Sequence, residues 1–167
     1  DADRERDARD HPQEILTLAA FEPGMTVADI FGGGGYYSEI IAGIVGPAGK
    51  VLLINNPPYD GFAKKGLATR LAGNRLPNVK YEVLPPNAMN LGKDSLDGAL
   101  IVMSYHDLYV DDPGDGWPAI DAGQFIDFLA RAREDGVDFL GRARALRGDL
   151  EFAFDDGQRG QQLVGRV

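Results

Sequence analysis

Cysteine is absent from the 167-residue chain, so neither a disulfide framework nor a thiolate metal site can form. That absence leaves the redox compartment open. No run of about 18 apolar residues exists, which excludes a membrane-spanning helix. No segment has the make-up of a signal peptide, although a start at Asp1 without Met fits a processed or trimmed product whose export segment has been removed. Basic residues are the minority, 17 against 26 acidic ones, and the net charge of −9 sets the surface against a phosphate backbone and anionic lipid alike. No nucleic acid and no membrane are therefore expected as main partners, though a local basic patch could handle RNA. What is present, 44% hydrophobic and 26% charged residues, suffices for one domain over 1–167 with a real core.

The first ten residues, DADRERDARD, are almost all charged and lack an apolar face, so they read as a frayed lead-in or a solvated helix remote from function. His11 starts the next element, Pro12 suits a first helical turn, and Ile15, Leu16, Leu18 and Ala19 form an apolar stripe ended by Pro23 and Gly24. Thr26 to Phe31 is short, mostly apolar and β-branched at its start, as expected of a strand buried on both faces. Gly32, Gly33, Gly34 and Gly35 follow. Helical spacing resumes over Tyr36 to Val45 through Tyr37, Ile40, Ile41 and Ile44, and the turn Gly46 to Gly49 leads to a second apolar run, Val51 to Ile54. That is one βαβ unit. Phe62 to Ala72 reads as a helix, Val79 to Leu84 and Gly98 to Met103 as strands, and Phe125 to Arg133 as a last helix. The alternation predicts an α/β, Rossmann-like doubly wound sheet.

Beyond Arg133 the pattern breaks. Such a sheet adds a fifth apolar strand after the last helix, whereas only Val137 to Leu140, Leu150 to Phe154 and Leu163 to Val167 have strand character. The expectation is that residues are missing near 132–135 and again near 148–150; a compact variant with fewer strands is the alternative.

Consecutive glycines between a buried strand and a helix let the backbone approach a ligand and aim free amides at it. A phosphate loop of the nucleotide-hydrolase type needs Gly-Lys-Ser or Gly-Lys-Thr at its end, and Tyr36 and Tyr37 stand there instead. A dinucleotide fingerprint starting at Gly32 or Gly33 finds Tyr37 or Ser38 in its third glycine position. An acidic residue in the strand followed by a glycine loop, Asp29 with Gly33 and Gly35, suits an adenosylmethionine site, with Phe31 in the first glycine position. A tight strand-to-helix corner is the plainer reading.

The segments HPQEIL, EPGMTVADIFGGGGYYSEI, VGPAGKV, INNPPY, RLAGNRLPNV, SLDGALIVMSYHDLY and GWPAID resemble bacterial predicted methyltransferases of the class I S-adenosylmethionine-dependent superfamily, over about residues 8–133. The resemblance implies the class I methyltransferase fold, S-adenosylmethionine as cofactor and a small-molecule acceptor of unassigned identity. Some relatives carry export signals, which leaves a cytoplasmic and a periplasmic home both open. Carried over by residue, Asp29 lies near the methionine amino end and Gly33 and Gly35 pack under the cofactor. Asn55, followed by Asn56, replaces the carboxylate that accepts the ribose hydroxyls, and Asn87, beside Ala88, replaces the Asp toward adenine. An amide accepts less strongly than a carboxylate, so weaker ribose binding is implied; Asn55 and Asn56 also suit a mere turn before Pro57 and Pro58. These departures favour either a pocket that works through backbone groups or a non-catalytic ligand-binding protein with a degenerate methyltransferase fold.

For chemistry, the predicted fourth strand leads to Ser104, Tyr105, His106 and Asp107 at the sheet edge where ligands bind. His106 has the pKa range of a general base, Asp107 could orient it, and Tyr105 could stack on a substrate; a hydrogen-bonded structural histidine is the plainer reading. The acidic stretch Asp111, Asp112, Asp115 with Trp117 reads as a lid or solvated loop, and its spacing follows no metal cage, so no metal is expected.

Overall fold

The computed structural model describes residues 2–85, 89, 91–104 and 107. Helices α1 (Ala2–Asp10) and α2 (Pro12–Ala19) lead into strand β1 (Thr26–Ile30), helix α3 (Tyr36–Val45), strand β2 (Lys50–Asn55), helix α4 (Pro57–Arg70), strand β3 (Val79–Val83) and strand β4 (Gly98–Leu100). The four strands form one sheet in the order β3-β2-β1-β4, and every neighbouring pair is parallel. The chain order thus reverses direction across the sheet between β1 and β4. In an open α/β sheet the crevice outside the carboxyl ends at such a reversal is where ligands bind.

Strand alternation explains how the core is divided. Val27 and Val51 point to the face covered by α2 and α3, where they pack with Leu16, Tyr37, Ile41 and Val45. Leu53, on that same side, meets Ala63 and Leu67 of α4. Ala28, Ile30, Leu52 and Ile54 point the other way, against Met89 and Leu96. Both faces are buried, which is why these strands read as unbroken apolar runs. The same alternation sends Asp29 and Asn55 to the helix-covered side, the one polar residue in each strand to end up there fully enclosed.

Several boundaries differ from those expected. Helix α4 begins at Pro57 rather than Phe62, because Asn56 caps it: the Tyr59 N–H donates to Asn56 Oδ1 at 2.9 Å. The prolines after the cap need no amide donor in a first turn. Thus Asn56 is a helix cap, not a free turn residue. Helix α4 stops at Arg70, and Ala72–Asn74 forms a separate 3-10 turn. Strand β4 ends at Leu100 instead of Met103, whose φ is +57°. The charged lead-in is helix α1, and it is docked on the molecule. Asp7 accepts from the Tyr36 hydroxyl, the Arg6 guanidinium lies 4.3 Å over the Tyr36 ring, and Asp10 is buried between Arg6 and Arg9 at 2.8 and 2.7 Å. An apolar face is not what holds it; charge and the rings of Tyr36 and Tyr37 do. The last predicted helix, the three C-terminal strand candidates, both suspected gaps and the acidic stretch 111–117 lie outside the described residues. Among the described residues no helix is long and apolar enough to cross a membrane.

Candidate functional site

The four glycines between β1 and α3 are needed for different reasons. A Cβ at Gly32 would stand 2.4 Å from Asp29 Oδ2 and 2.5 Å from Leu53 Cδ1, so no side chain fits there. Gly33 and Gly35 have φ of +56° and +76°, the left-handed region that costs an L-residue about 1–2 kcal/mol. Gly34 has open space and no such φ. The loop closes as a turn through the Gly35 N–H, which donates to Gly32 O at 3.0 Å, and Gly35 then starts α3. Phe31, one residue earlier, holds φ +54° despite its side chain. Its buried ring, 5.5 Å from the Tyr59 ring centroid, anchors that conformation.

Polar side chains fix the loop from three sides. Asp29 lies beneath it, 2% exposed, and accepts from Ser38 Oγ at 2.6 Å. Burial pushes its carboxyl up to about 6, while Ser38 and the more distant Arg6 act in the opposite direction. Asn55, fully buried, accepts the Gly33 N–H on Oδ1 at 2.9 Å and donates from Nδ2 to Gly33 O at 3.0 Å. Arg70, in the last turn of α4, donates from Nε to Gly34 O at 2.7 Å and pairs through its other nitrogens with Glu39 and Asp3.

At the far side of the crevice, Ser104 is buried, and its carbonyl accepts the Asp107 N–H at 3.1 Å. The Asp107 carboxylate accepts from the Tyr59 hydroxyl, and burial first, then that bond, raises the Tyr59 phenol above its ordinary value. Tyr59 also faces Phe62, with centroids 4.9 Å apart. Phe62 is 69% exposed, and its edge is the nearest atom, 4.0 Å, to where a Gly33 Cβ would stand. The structure therefore brings Phe31, the glycine loop, Asn55 and Asp29 together, with Asp107 joined to them through Tyr59. Asn87, Tyr105 and His106 lie outside the described residues. Tyr59, Phe62, Ser38, Arg70 and Tyr81 escape the sequence reading. The i, i+3 spacing of Tyr59 and Phe62 finds the first two once α4 is started at its Asn-Pro cap.

A second concavity, a groove of about 610 Å³ between α2 and α3, contains none of these residues. Its walls are mostly apolar, with Asp7 the one ionisable group among them, so the crevice at the carboxyl edge is the candidate site. Among the described residues no three potential metal ligands are gathered.

No family model matches the sequence, and no curated protein matches it. Solved structures do. A SAM-dependent methyltransferase from Aquifex aeolicus is similar over 74% of this chain, at 23% identity and TM-score 0.54. The precorrin-6y C5,15-methyltransferase from Geobacter metallireducens is similar over 81%, at 16% identity and TM-score 0.54. A SAM-dependent O-methyltransferase from Thermotoga maritima is similar over 74%, at 20% identity and TM-score 0.51. This chain spans 58%, 66% and 39% of those three chains, less than two thirds of each. What such identities share is architecture: the parallel, Rossmann-like α/β sheet of this chain has the fold seen in those methyltransferase structures.

Proposed function

We propose that this chain is an S-adenosylmethionine-dependent methyltransferase acting on a small molecule. The observation that carries the reading is the glycine loop at the β1/β4 reversal, with backbone uncovered at Gly33 and Gly34. Tested against that cofactor, the loop fits at Gly33 and Gly34: where their side chains would stand, only the Phe62 edge comes near, so the backbone there can approach a ligand closely. Gly32, Gly33, Gly34 and Gly35 would form the cradle, Asp29 would hold the start of α3 beneath it, and Phe31 and Ser104 would line its flanks. When bound, adenosylmethionine supplies the methyl group and a sulfonium leaving group. The chain's own task is then alignment and proton management. His106 is the general base of this reading, Tyr105 and Asp107 its neighbours, and Asp107 is steadied by Tyr59.

The amides at the end of β2 do not fit the part of ribose acceptor, since those of Asn55 and Asn56 are both engaged within the fold. That favours the second reading, a non-catalytic ligand-binding protein with a degenerate methyltransferase fold. Calorimetric titration and thermal shift with adenosylmethionine and adenosylhomocysteine separate the two. The enzyme reading expects heat and a raised Tm with both; no heat and no shift at millimolar cofactor overturns it. A shift with NAD or NADP instead would point to a nicotinamide site.

A further inference from the structure

We propose that Asn55 is the clamp that holds Gly33 in its left-handed conformation and that the end of β2 does not read a ligand's ribose. The ligand half of this inference rests on the adenosylmethionine reading; the clamp does not. Gly33 N–H and Gly33 C=O belong to successive peptide planes, and one planar side-chain amide engages both, at 2.9 and 3.0 Å. This reproduces with a side chain the two-way exchange of a hydrogen-bonded antiparallel pair. Both flanking peptides of a residue at φ +56° are thereby fixed. The second Nδ2 hydrogen points to the Tyr81 hydroxyl oxygen at 3.5 Å, and Tyr81 in turn donates to Asp60 Oδ1 at 2.6 Å. A part-buried chain thus runs from α4 through β3 and β2 to the loop, and it is directional: Asn55 gives hydrogens to Gly33 and Tyr81, and Tyr81 gives its own to Asp60.

That direction explains why the residue is an amide. A carboxylate has no hydrogen to give, so at position 55 it would set acceptor against acceptor at Gly33 O, and it would hold Tyr81 only by taking the hydrogen that Tyr81 gives to Asp60. Ribose recognition at the end of a strand needs the reverse: an uncommitted acceptor pair open to the ligand. Asn55 has no exposed surface, both its donors are placed, and the neighbouring Asn56 Oδ1 is taken by the Tyr59 N–H at 2.9 Å.

A cycle of one protein change against one ligand change tests this. Adenosylhomocysteine and its 2′-deoxy analogue are titrated into the native chain, Asn55→Asp and Asn55→Ala. The clamp predicts that both variants weaken both ligands by the same factor, about tenfold for the loss of a buried hydrogen bond. The preference for the ribose form is then unchanged. An Asn55→Asp chain that tightens only the ribose form makes Asn55 a diol contact and overturns the proposal. Amide hydrogen exchange on the ligand-free chain gives a readout that needs no ligand. Gly33 N–H should be protected in the native chain and about tenfold less so in Asn55→Ala, with Tyr81→Phe as a milder variant that keeps the Gly33 bonds and so keeps the protection. Equal Gly33 exchange in the native chain and Asn55→Ala removes the clamp. If no nucleoside binds the native chain, the methyltransferase reading and the ligand half fall together, and the exchange result decides the clamp by itself.

Discussion

A single carboxyl under the glycine loop makes the molecule's stability depend on pH. Asp29 ordinarily titrates at 3.8 and in the fold at about 6, with burial as the main cause. Between those values the folded chain binds more proton than the unfolded chain, so stability falls as pH rises through the window and stays lower above it. Two units correspond to about 3 kcal/mol as an upper figure. Asp29→Asn keeps an acceptor for Ser38 Oγ and has no charge to bury. It should therefore raise Tm at pH 8 and give no gain near pH 4. A gain of equal size at both pH values would mean that burial of the charge is not its source. The glycine beside this carboxyl gives a second test. Gly32→Ala puts a methyl into Asp29 and Leu53 and should cost about 1–3 kcal/mol in a urea titration, as overpacking does. Gly34→Ala meets nothing within 4 Å and should stay within about 0.5 kcal/mol. Equal costs for the two would show that backbone freedom, not space, sets the requirement along this run.

The elements legible in the sequence are those whose burial is one-sided or complete. Strand β1 and helix α3 fall where hydrophobic spacing puts them, because Val27, Ile30, Ile41 and Val45 are core residues and little else competes for those positions. Helix α4 is legible only in part. Its first turn is specified by Asn56 and the prolines rather than by apolar spacing, and only Ala63 and Leu67 of its length are fully buried. Helix α1 is opaque to hydrophobic reading, since it docks through Arg6 on Tyr36, Asp7 on the Tyr36 hydroxyl and Asp3 on Arg70. The glycine loop is legible in the sequence as the connection between a buried strand and a helix; its supports, Ser38, Asn55 in its clamping role and Arg70, are not, because each acts through geometry between distant segments. Arg70 joins these elements, with 16% of its side chain exposed and bonds to Gly34 O, Glu39 and Asp3. Arg70→Ala should cost about 2 kcal/mol, as the loss of charge-assisted hydrogen bonds does. Arg70→Lys should recover little, because one ammonium cannot reach along three directions as a guanidinium fork does. Asp3→Asn, at the half-exposed end of the network, should cost under about 1 kcal/mol. Should the urea midpoints of Asp3→Asn and Arg70→Ala fall equally, the network would serve to hold α1 rather than the glycine loop.

Across the whole molecule the dominant physical quantity is a net charge of −9. Such a field acts on every charged ligand before any contact forms, repelling phosphate chains and drawing in cations. On the methyltransferase reading the donor and the product differ in this respect. Adenosylmethionine bears a sulfonium in addition to its zwitterionic amino acid, whereas adenosylhomocysteine is a neutral thioether with the same nucleoside and the same amino acid. They differ only in the sulfonium charge and its methyl group, so the salt dependence of their affinity ratio isolates the electrostatic contribution. Raising ionic strength from about 0.01 M to 1 M shortens the screening length from about 30 Å to about 3 Å. The affinity for adenosylmethionine should then fall several-fold, that for adenosylhomocysteine should hardly move, and the ratio should decline. Calorimetric titration of both ligands at the two salt concentrations measures it. If both affinities fall together, salt is acting on the fold, through pairs such as Arg70 with Glu39 and Asp3, and not on the ligand's charge. If only the donor responds, the net negative charge of the chain favours the charged donor over the neutral product.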